Sequence, residues 1–588
     1  MELDDQQRTA VETTSRKALV LAGAGSGKTR VITERVAYLV EKEKVSPYEI
    51  MQFTFTRRAA QVMATRLESR IGYPAHRIAI GTMHGLALGY LKRFGDVIGF
   101  KPRHITVYCE WEAQYLLKET AKDMGLYKKR SWKIPKKEIN KVFNDYYDSG
   151  IEPEESDQCY PLFQAFMKRC KENQSLTYGG LLVGMNLLIP TIAKHLHIRH
   201  ILVDEVQDIN ATQWNIINGM VDAFGASLFV VGDIDQSVYK FRGAVPEYLI
   251  EHQDDFDIFR IETNYRSDAN IVNMANCLIE HNENRLEKTM RPFEDAQTEV
   301  LIVENTDSQG IINLYKTMNE KSPDIPRAIL CRIHAPLKKM SRLMDDEGIE
   351  HVYYGKKTEI TNSEQFRRFH AFLKLLVNPF DNFAFLLIRE LIGLSLDDYN
   401  RIRLIASEDG TSHFQAYGYA DIDVDNYFDW SPRDASGENL DDVSIRLNNT
   451  LPWNAAEIEG VETDSYLFIQ DWLKDNPAGT IGEYLDWLAT FDLQDEMKDE
   501  PEGLQLLTIH GCKGLEFPTV IVAGCNEGIL PSKQAIVNDE VGDERNLMYV
   551  AMTRAEDTLI LTIRPESKED ERGRVHLSPQ SRFIGELQ

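Results

Sequence analysis

The run Ala22-Gly23-Ala24-Gly25-Ser26-Gly27-Lys28-Thr29-Arg30 follows the apolar segment Ala18-Leu19-Val20-Leu21 and precedes Val31, Ile32, Val36, Leu39 and Val40 at helical spacing. That order is strand, glycine loop, helix, and it carries a phosphate-binding chemistry. Glycines let successive backbone N–H groups curl round a phosphate, the Lys28 ammonium can reach the outer phosphates, and the Thr29 hydroxyl can bind Mg²⁺ at a positively polarised helix start. Further along, the apolar run Ile201-Leu202-Val203 ends in Asp204-Glu205. Two carboxylates at a strand end, downstream of such a loop, suit a nucleotide hydrolase: Asp204 as a Mg²⁺ ligand and Glu205 to orient the attacking water. A second apolar run, Leu228-Phe229-Val230-Val231, leads to Gln236, which stands three and five residues before Tyr239 and Phe241. That spacing can couple a phosphate-facing amide to rings that stack on bases.

Other residues admit two readings each. Gln7, ahead of the first strand, can read the edge of a base or can be an ordinary surface-helix glutamine. Phe53-Thr54-Phe55-Thr56-Arg57-Arg58 ends a strand with an aromatic, hydroxyls and arginines, fit to stack a base and hold phosphates or to begin a solvated helix. Lys128, Lys129, Arg130, Lys133, Lys136, Lys137 and Lys141 concentrate around Trp132 with Glu138 as the only acid. They form either a nucleic-acid contact or a solvated face.

The elements that must position these groups follow from periodicity. Residues 1 to about 90 alternate apolar strands with amphipathic helices, as a parallel sheet with crossover helices requires. Long helical patterns replace them from about 95 to 190, and the strand pattern resumes at Ile201. The apolar stretch from Gly179 to Ala193, interrupted by Asn186 and Pro190, reads as a core helix. The 588 residues allow roughly four domain-sized units. The seven cysteines are scattered without metal-type spacing, which fits a reducing interior. With no signal-like start and no run long enough to cross a bilayer, a cytoplasmic protein without membrane contact is expected. A formal net charge of −26 argues against a protein that coats nucleic acid non-specifically, while leaving room for a basic groove on an acidic body.

In combination these motifs resemble superfamily 1 DNA helicases of the UvrD/Rep/PcrA type, and the resemblance continues in order. Thr263-Asn264-Tyr265-Arg266-Ser267 is similar to that family's fourth motif, which implies adenine stacking by Tyr265 and γ-phosphate contact by Arg266. The segment from Leu504 to Pro518 resembles the fifth, which implies DNA contact near His510 and ribose contact by Glu516. The helix containing Asp543 to Ala555 resembles the sixth, with Arg554 as an arginine finger supplied within the chain. The implied fold is α/β: two RecA-like P-loop domains of parallel sheet flanked by helices, each with a mainly helical insertion. The first core takes 1–94 and 191–264, its insertion 95–190, the second core 265–378 and 492–588, and a reduced, divergent second insertion 379–491.

The implied activity is ATP- and Mg²⁺-dependent 3′ to 5′ movement on single-stranded DNA and unwinding at single-strand/duplex junctions, in repair, replication or recombination. The catalytic set is Lys28, Glu205, Gln236, Arg266 and Arg554. DNA contacts fall to Phe55, Thr56, Arg57, Thr82, His84, Tyr239, Phe241, Arg242 and His510. Accessory repair or replication proteins and a monomer or weak self-association complete the expectation. The alternatives are a single-strand translocase that displaces proteins and unwinds poorly, and a nucleotide-gated DNA-binding switch.

Departures from the family pattern are specific. Phe241 replaces the usual tryptophan, Thr82-Met83-His84-Gly85 the usual Thr-Phe-His-Ser, Arg57-Arg58 the usual Asn-Lys, and Thr177-Tyr178-Gly179-Gly180 an acidic stretch. The segment from Asp409 to Asp442, with nine acids and Arg433 as its only base, reads as an acidic surface loop. Its Asp421-Ile422-Asp423-Val424-Asp425 lacks the glycine and glutamate that a calcium loop needs.

Overall fold

The computed structural model describes residues 2–587 apart from 295–299, 355–359, 362, 390, 421, 423–434, 451–462, 492–502, 566 and 570–574. Six apolar segments form the first sheet: β1 (Lys17–Ala22), β2 (Ile50–Thr54), β3 (Ala79–Thr82), β4 (His200–Val203), β5 (Ser227–Gly232) and β6 (Asp257–Ile261). They pair in the order β6-β1-β5-β4-β2-β3, every pair parallel. Parallel neighbours need crossover connections, so helices cover both faces and the central strands read as unbroken apolar runs. β2 is buried at all five positions for this reason. In such a sheet ligands gather beyond the carboxyl ends of the strands. That edge is where the glycine loop, Phe55, Asp204-Glu205 and Gln236 emerge.

The second sheet repeats the architecture with β7 (Val300–Val303), β8 (Arg327–Cys331), β9 (Val352–Tyr353), β10 (Leu504–Thr508), β11 (Phe517–Ala523) and β12 (Ala555–Thr562). Their order is β7-β12-β11-β8-β10-β9, again parallel throughout. His510 and Glu516 lie in the loop after β10, and Arg554 immediately precedes β12 at the end of the helix Val541–Met552.

The two insertions share one core. Phe163 and Phe166 from the first insertion pack in the same buried cluster as Phe383 and Tyr484 of the second and Phe369 and Phe372 of the helix Glu364–Val377, which leads into it from the second core. Buried polar groups stitch this seam. The Tyr108 hydroxyl donates to Asp381 at 2.6 Å, the Asn378 amide donates to the Asn173 carbonyl at 2.8 Å, and Lys374 donates to both Glu112 oxygens at 2.6 Å. Burial pushes the Asp381 carboxyl up to about 6. It also opposes ionisation of Glu112, but Lys374 outweighs that and holds the carboxyl below its ordinary value. A buried charge pair is tolerated only with such complete partnering.

The expectation of one acidic loop from Asp409 to Asp442 is corrected in part. His413–Tyr417 is a helix, set by a reciprocal cap in which the Ser412 hydroxyl accepts from Gln415 N–H at 3.1 Å while Gln415 Oε1 accepts from Ser412 N–H at 3.2 Å. Phe414 and Ala416 give that helix a buried face, and the helix Leu440–Thr450 begins before the segment ends. Of Asp421 to Asp425, all but Ile422 lie outside the described residues. The apolar stretch after Gly179 is the helix Tyr178–His195, packed against Met83–Phe94. Among the described residues no helix is long and apolar enough to cross a membrane.

Because the insertions share a core, damage to one must loosen the other. Phe372→Ala should cost about 3–5 kcal/mol and raise amide exchange in the helix Tyr160–Glu172 as well as in its own, leaving β1 and β5 protected. Exchange confined to residues 364–490 would show two independent cores.

Candidate active site and nucleic-acid interface

The loop between β1 and the helix Lys28–Glu41 needs glycine where it is approached most closely. Gly25 has φ 68°, and a Cβ there would lie 2.8 Å from Arg266 Cβ and from the Asn264 amide. Asn264 staples the two cores: its amide donates to the Ala24 carbonyl at 2.9 Å and accepts from the N–H groups of Arg266 and Ser267 at 2.8 Å. Tyr265 N–H donates to the Gly25 carbonyl at 2.9 Å. The Tyr265 hydroxyl donates to Asp4 at 2.6 Å, and its ring lies 4.8 Å from that of Phe293. Gln7 is buried, with its amide nitrogen donating to the Ser26 carbonyl at 3.0 Å and its amide oxygen accepting from Asp4 N–H at 3.2 Å. Gln7 and Tyr265 thus flank the loop through a shared partner, Asp4. Arg30 lies in the first turn of the following helix, beside Gly27.

Across the loop mouth stand the acids. Burial, then the Glu205 charge, pushes the Asp204 carboxyl up to about 7. Burial opposes ionisation of Glu205 too, but Lys28, Lys513 and a hydrogen bond from Gln207 outweigh it and hold that carboxyl below its ordinary value. Glu205 has φ 50°, a left-handed conformation that costs a non-glycine residue about 1–3 kcal/mol and clusters at functional sites. The Lys28 ammonium faces Glu205, Asp233 and Asp204, and burial lowers its pKa. Asp204 and Thr29 together supply one carboxylate and one hydroxyl. That donor set suits Mg²⁺, which takes few protein ligands and keeps phosphate oxygens and waters for the rest. The raised Asp204 carboxyl marks a spot where a cation relieves an electrostatic cost.

Gln236 is held rather than free. Its amide donates to Asp233 Oδ2 at 2.5 Å, and Asp233 is in turn gripped by Lys288 at 2.5 Å. Lys288 also binds Asp235, which Arg285 clamps at 2.8 and 3.2 Å. Burial opposes the Lys288 charge, but Asp233 and Asp235 outweigh it and raise its pKa.

The second core contributes two arginines. Arg266 pairs with Glu516 at 2.7 Å and donates to the Thr553 carbonyl at 3.1 Å. Arg554 is 2 % exposed and donates only to neutral oxygens: Val550 carbonyl at 3.0 Å, Leu515 carbonyl at 3.2 Å and Thr553 hydroxyl at 3.2 Å. Burial, then the neighbouring Arg266 charge, lowers its pKa to about 10. Among the described residues no carboxylate pairs with Arg554. A buried guanidinium beside a second one, lacking its own counter-ion, is a ready anion site.

The aromatic residues gather where the two cores meet. Phe55 stacks on Tyr239 with centroids 4.9 Å apart, and Phe241 meets His510 edge-on at 5.2 Å. Arg242 lies 5.2 Å from the Tyr239 ring and 5.8 Å from that of Phe241. Phe241 is 69 % exposed while Tyr239 is 4 % exposed, so Phe241 has an open face and Tyr239 is packed beneath it. The Tyr239 hydroxyl donates to the His510 carbonyl at 3.1 Å. Burial, then Arg332, pushes the His510 imidazole down to about 3, so it is neutral at pH 7.

The remaining sequence-derived contacts sit differently. Thr56 and Thr82 are helix N-caps, accepting from Ala59 N–H at 3.0 Å and Gly85 N–H at 3.1 Å. Arg57 donates to the Trp487 carbonyl at 2.5 Å, tying the first core to the second insertion. His84 stacks on Tyr178 with centroids 3.8 Å apart. That gives the Thr177-Tyr178-Gly179-Gly180 departure a structural sense: Tyr178 covers His84, and a Cβ at Gly179 would strike Tyr147.

Sequence reasoning missed Lys513. From the loop after β10 it crosses to the first core, binding Asp208 and donating to the Gln236 carbonyl at 2.8 Å, with Glu205 4.0 Å away and the Tyr239 ring 5.4 Å away. Asp233, Lys288 and Asn264 were missed as well. A lysine set between Cys512 and Gly514, two residues before Leu515 in a buried loop, was the available signal for the first.

Comparison with known proteins follows this geometry. A family model described as the UvrD/REP helicase N-terminal domain matches residues 3–257, and one described as the UvrD-like helicase C-terminal domain matches 259–404 and 488–566. The chain is 29 % identical over 646 residues to ATP-dependent DNA helicase PcrA of Bacillus subtilis, covering 100 % of this chain and 85 % of that protein. It is 25 % identical over 617 residues to ATP-dependent DNA helicase PcrA of Staphylococcus epidermidis, covering 95 % and 83 %. The PcrA of Staphylococcus aureus gives 25 % over 646 residues, covering 100 % and 86 %. The stretch between the C-terminal matches, 405–487, falls in the second insertion.

The buried cluster around Gln236 carries its own test. Lys288→Met strands the buried Asp233 carboxylate, while Arg285 still holds Asp235, and should cost about 3–5 kcal/mol in urea unfolding. Lys474→Met, which breaks an exposed pair with Asp471, should cost less than about 1 kcal/mol. Equal losses would refute the ranking.

Proposed function

The chain belongs to the UvrD/REP helicase family, and from that premise we propose that it is an ATP-dependent DNA helicase moving 3′ to 5′ on single-stranded DNA and opening duplex ahead of it. The observation that carries the catalytic part is Arg554. It is buried, it donates only to neutral oxygens, and it stands beside Arg266 on the second core, within electrostatic reach of Lys28 and Glu205 on the first. Two cations presented across a cleft to a glycine loop are complementary to a γ-phosphate and to the charge that develops on it during transfer.

The roles then follow from chemistry. Backbone N–H groups of the loop from Ala22 to Thr29 and the Lys28 ammonium hold the phosphates. Glu205, kept ionised by Lys28 and Lys513, orients the attacking water and accepts its proton. Gln236, aimed by Asp233, reports on the γ-phosphate, and Tyr265 and Gln7 bracket the base at the loop's flank. Glu516 must exchange Arg266 for the ribose when nucleotide enters, which frees that guanidinium for phosphate. Asp204 and Thr29 would hold Mg²⁺, which when bound neutralises phosphate charge.

ATP favours the closed cleft because Arg266 and Arg554 contact it only there, and loss of the γ-phosphate removes that differential contact. The backbone of Gln236 runs directly into Tyr239 and Phe241, so a shift at the phosphate is felt at the ring offered to a base. Stacking suits a motor because every base has a π-face and each step is blind to sequence.

ATP hydrolysis should rise sharply on adding single-stranded DNA, and strand displacement should occur on 3′-tailed and not on 5′-tailed duplexes. Lys28→Ala should lower kcat at least 10²-fold, the scale for one donor to the transferring group, with an unchanged circular dichroism spectrum. No stimulation by DNA would end the motor reading, and unwinding from 5′ tails alone would reverse the polarity.

A further inference from the structure

The helix that leads to Arg554 carries a polar residue to which no role has yet been given. Val541–Met552 is buried at every position from Glu544 onward, and Asn546 sits among them at 7 % exposure. Asparagine is a poor choice there on two counts. Its short amide competes with the helix backbone for hydrogen bonds, and an amide taken out of water costs free energy unless it is paired. A leucine would fill a similar volume without either cost. What the amide gains lies across the cleft.

The Asn546 amide nitrogen donates to the Ser237 carbonyl at 3.3 Å and to the Ile234 carbonyl at 3.5 Å, both on the first core. Those carbonyls bracket Gln236, because Ile234–Gln236 is a single 3-10 turn and Ser237 follows it. The Ile234 carbonyl also accepts from Ser237 N–H at 3.0 Å, which closes the turn, so the Ser237 carbonyl is where the amide matters most. Ser237 is fully buried, and its hydroxyl donates to the Gln207 carbonyl at 3.3 Å. Removing the amide leaves a buried acceptor short of a donor beside the residue that reads the phosphate.

The direction of that amide is forced from behind. Both Glu586 oxygens clamp the Arg545 guanidinium at 2.7 and 3.0 Å, and Arg545 also donates to the Asn282 side-chain oxygen. A guanidinium has only donors, so Asn282 must turn its oxygen to Arg545 and its nitrogen away. That nitrogen, just past the helix Ala269–Glu280, donates to the Asn546 oxygen at 2.8 Å and to the Gly542 carbonyl at 3.2 Å. Asn546 is therefore left with its nitrogen facing the first core. A donor aimed by a frame that belongs wholly to the second core thus holds the turn of Gln236, and the same helix ends two residues before Arg554. Resting on the helicase reading, we propose that Asn546 is a positioning residue that sets Gln236 in register with Arg554, so that one helix holds the γ-phosphate contacts of both cores.

ATP hydrolysis at saturating oligo(dT) is measured for the full chain, N546L, N546D, Q236A and the double variant Q236A/N546L, with a thermal midpoint for each to confirm the fold. N546L should lower kcat about tenfold, the scale of a buried hydrogen bond lost at the transition state, while KM for ATP stays within about twofold. N546D keeps the size and the acceptor for Asn282 but sets a carboxylate against the Ser237 carbonyl. Its loss should be at least as large, and it reports the role even if the leucine variant does not fold. Because Asn546 acts through Gln236, adding N546L to Q236A should lower kcat by no more than about twofold further. The single-variant loss repeated in full on Q236A, a loss confined to KM, or an unchanged kcat in N546L and N546D would each overturn the proposal. If the unaltered chain shows no stimulation by oligo(dT), the helicase reading has failed rather than the assignment of Asn546.

Discussion

Two buried ammonium groups, Lys288 and Lys513, cross between the halves of this molecule, and Lys513 is the one that also reaches the aromatic platform. Lys513 leaves the second sheet and, on the first, binds Asp208 and the Gln236 carbonyl, with Glu205 4.0 Å away and the Tyr239 ring 5.4 Å away. Taking that charge out of water is costly and is offset only while the cleft holds its partners in place. The same contact therefore sets the ionisation of Glu205, the position of the Gln236 backbone and the seat of the Tyr239 ring. The three are therefore joined through one side chain.

Around this contact the site is arranged as paired opposites. Lys288 answers Asp233, which aims Gln236, and Asp208 answers Lys513. Arg554, like Lys28 and Asp204, has no opposite charge within ion-pair distance among the described residues. Unpaired cations at Arg554 and Lys28 and an unpaired carboxylate at Asp204 face the same glycine loop, a set complementary to an anion carrying its own metal ion. The two insertions are stiffened by the same means, with Lys374 and Glu112 buried as a pair inside a shared apolar core. Arg57 on Trp487 and Lys92 on Asp486 at 2.5 Å carry that stiffness down to the first core.

Much of this was legible in the chain. Apolar runs announced the first parallel sheet, because buried parallel strands have no polar face to confuse the pattern, whereas the second was implied only by the family resemblance. The glycine loop, Asp204-Glu205 and Gln236 were legible because their chemistry is local in sequence. What escaped was long-range: Lys288 meets Asp233 across 55 residues of chain and Lys513 meets Asp208 across 305, and no local spacing encodes either. Arg57 looked like a phosphate ligand because an arginine at a strand end has that chemistry, yet tertiary packing commits it to Trp487. Tyr239 looked like a stacking platform and is a buried strut, a distinction of burial that residue type does not carry. The acidic segment after Asp409 read as loop on charge, while Ser412 and Gln415 capped a helix within it.

The most direct measurement is DNA-stimulated ATP hydrolysis by Lys513→Met, with nucleotide-analogue and oligo(dT) binding measured on the same preparation. Loss of stimulation by at least tenfold while both ligands still bind is the predicted result. Stimulation equal to that of the unaltered chain would contradict the account, because the two sites would then communicate without the charge that stands beside both Glu205 and the Tyr239 ring.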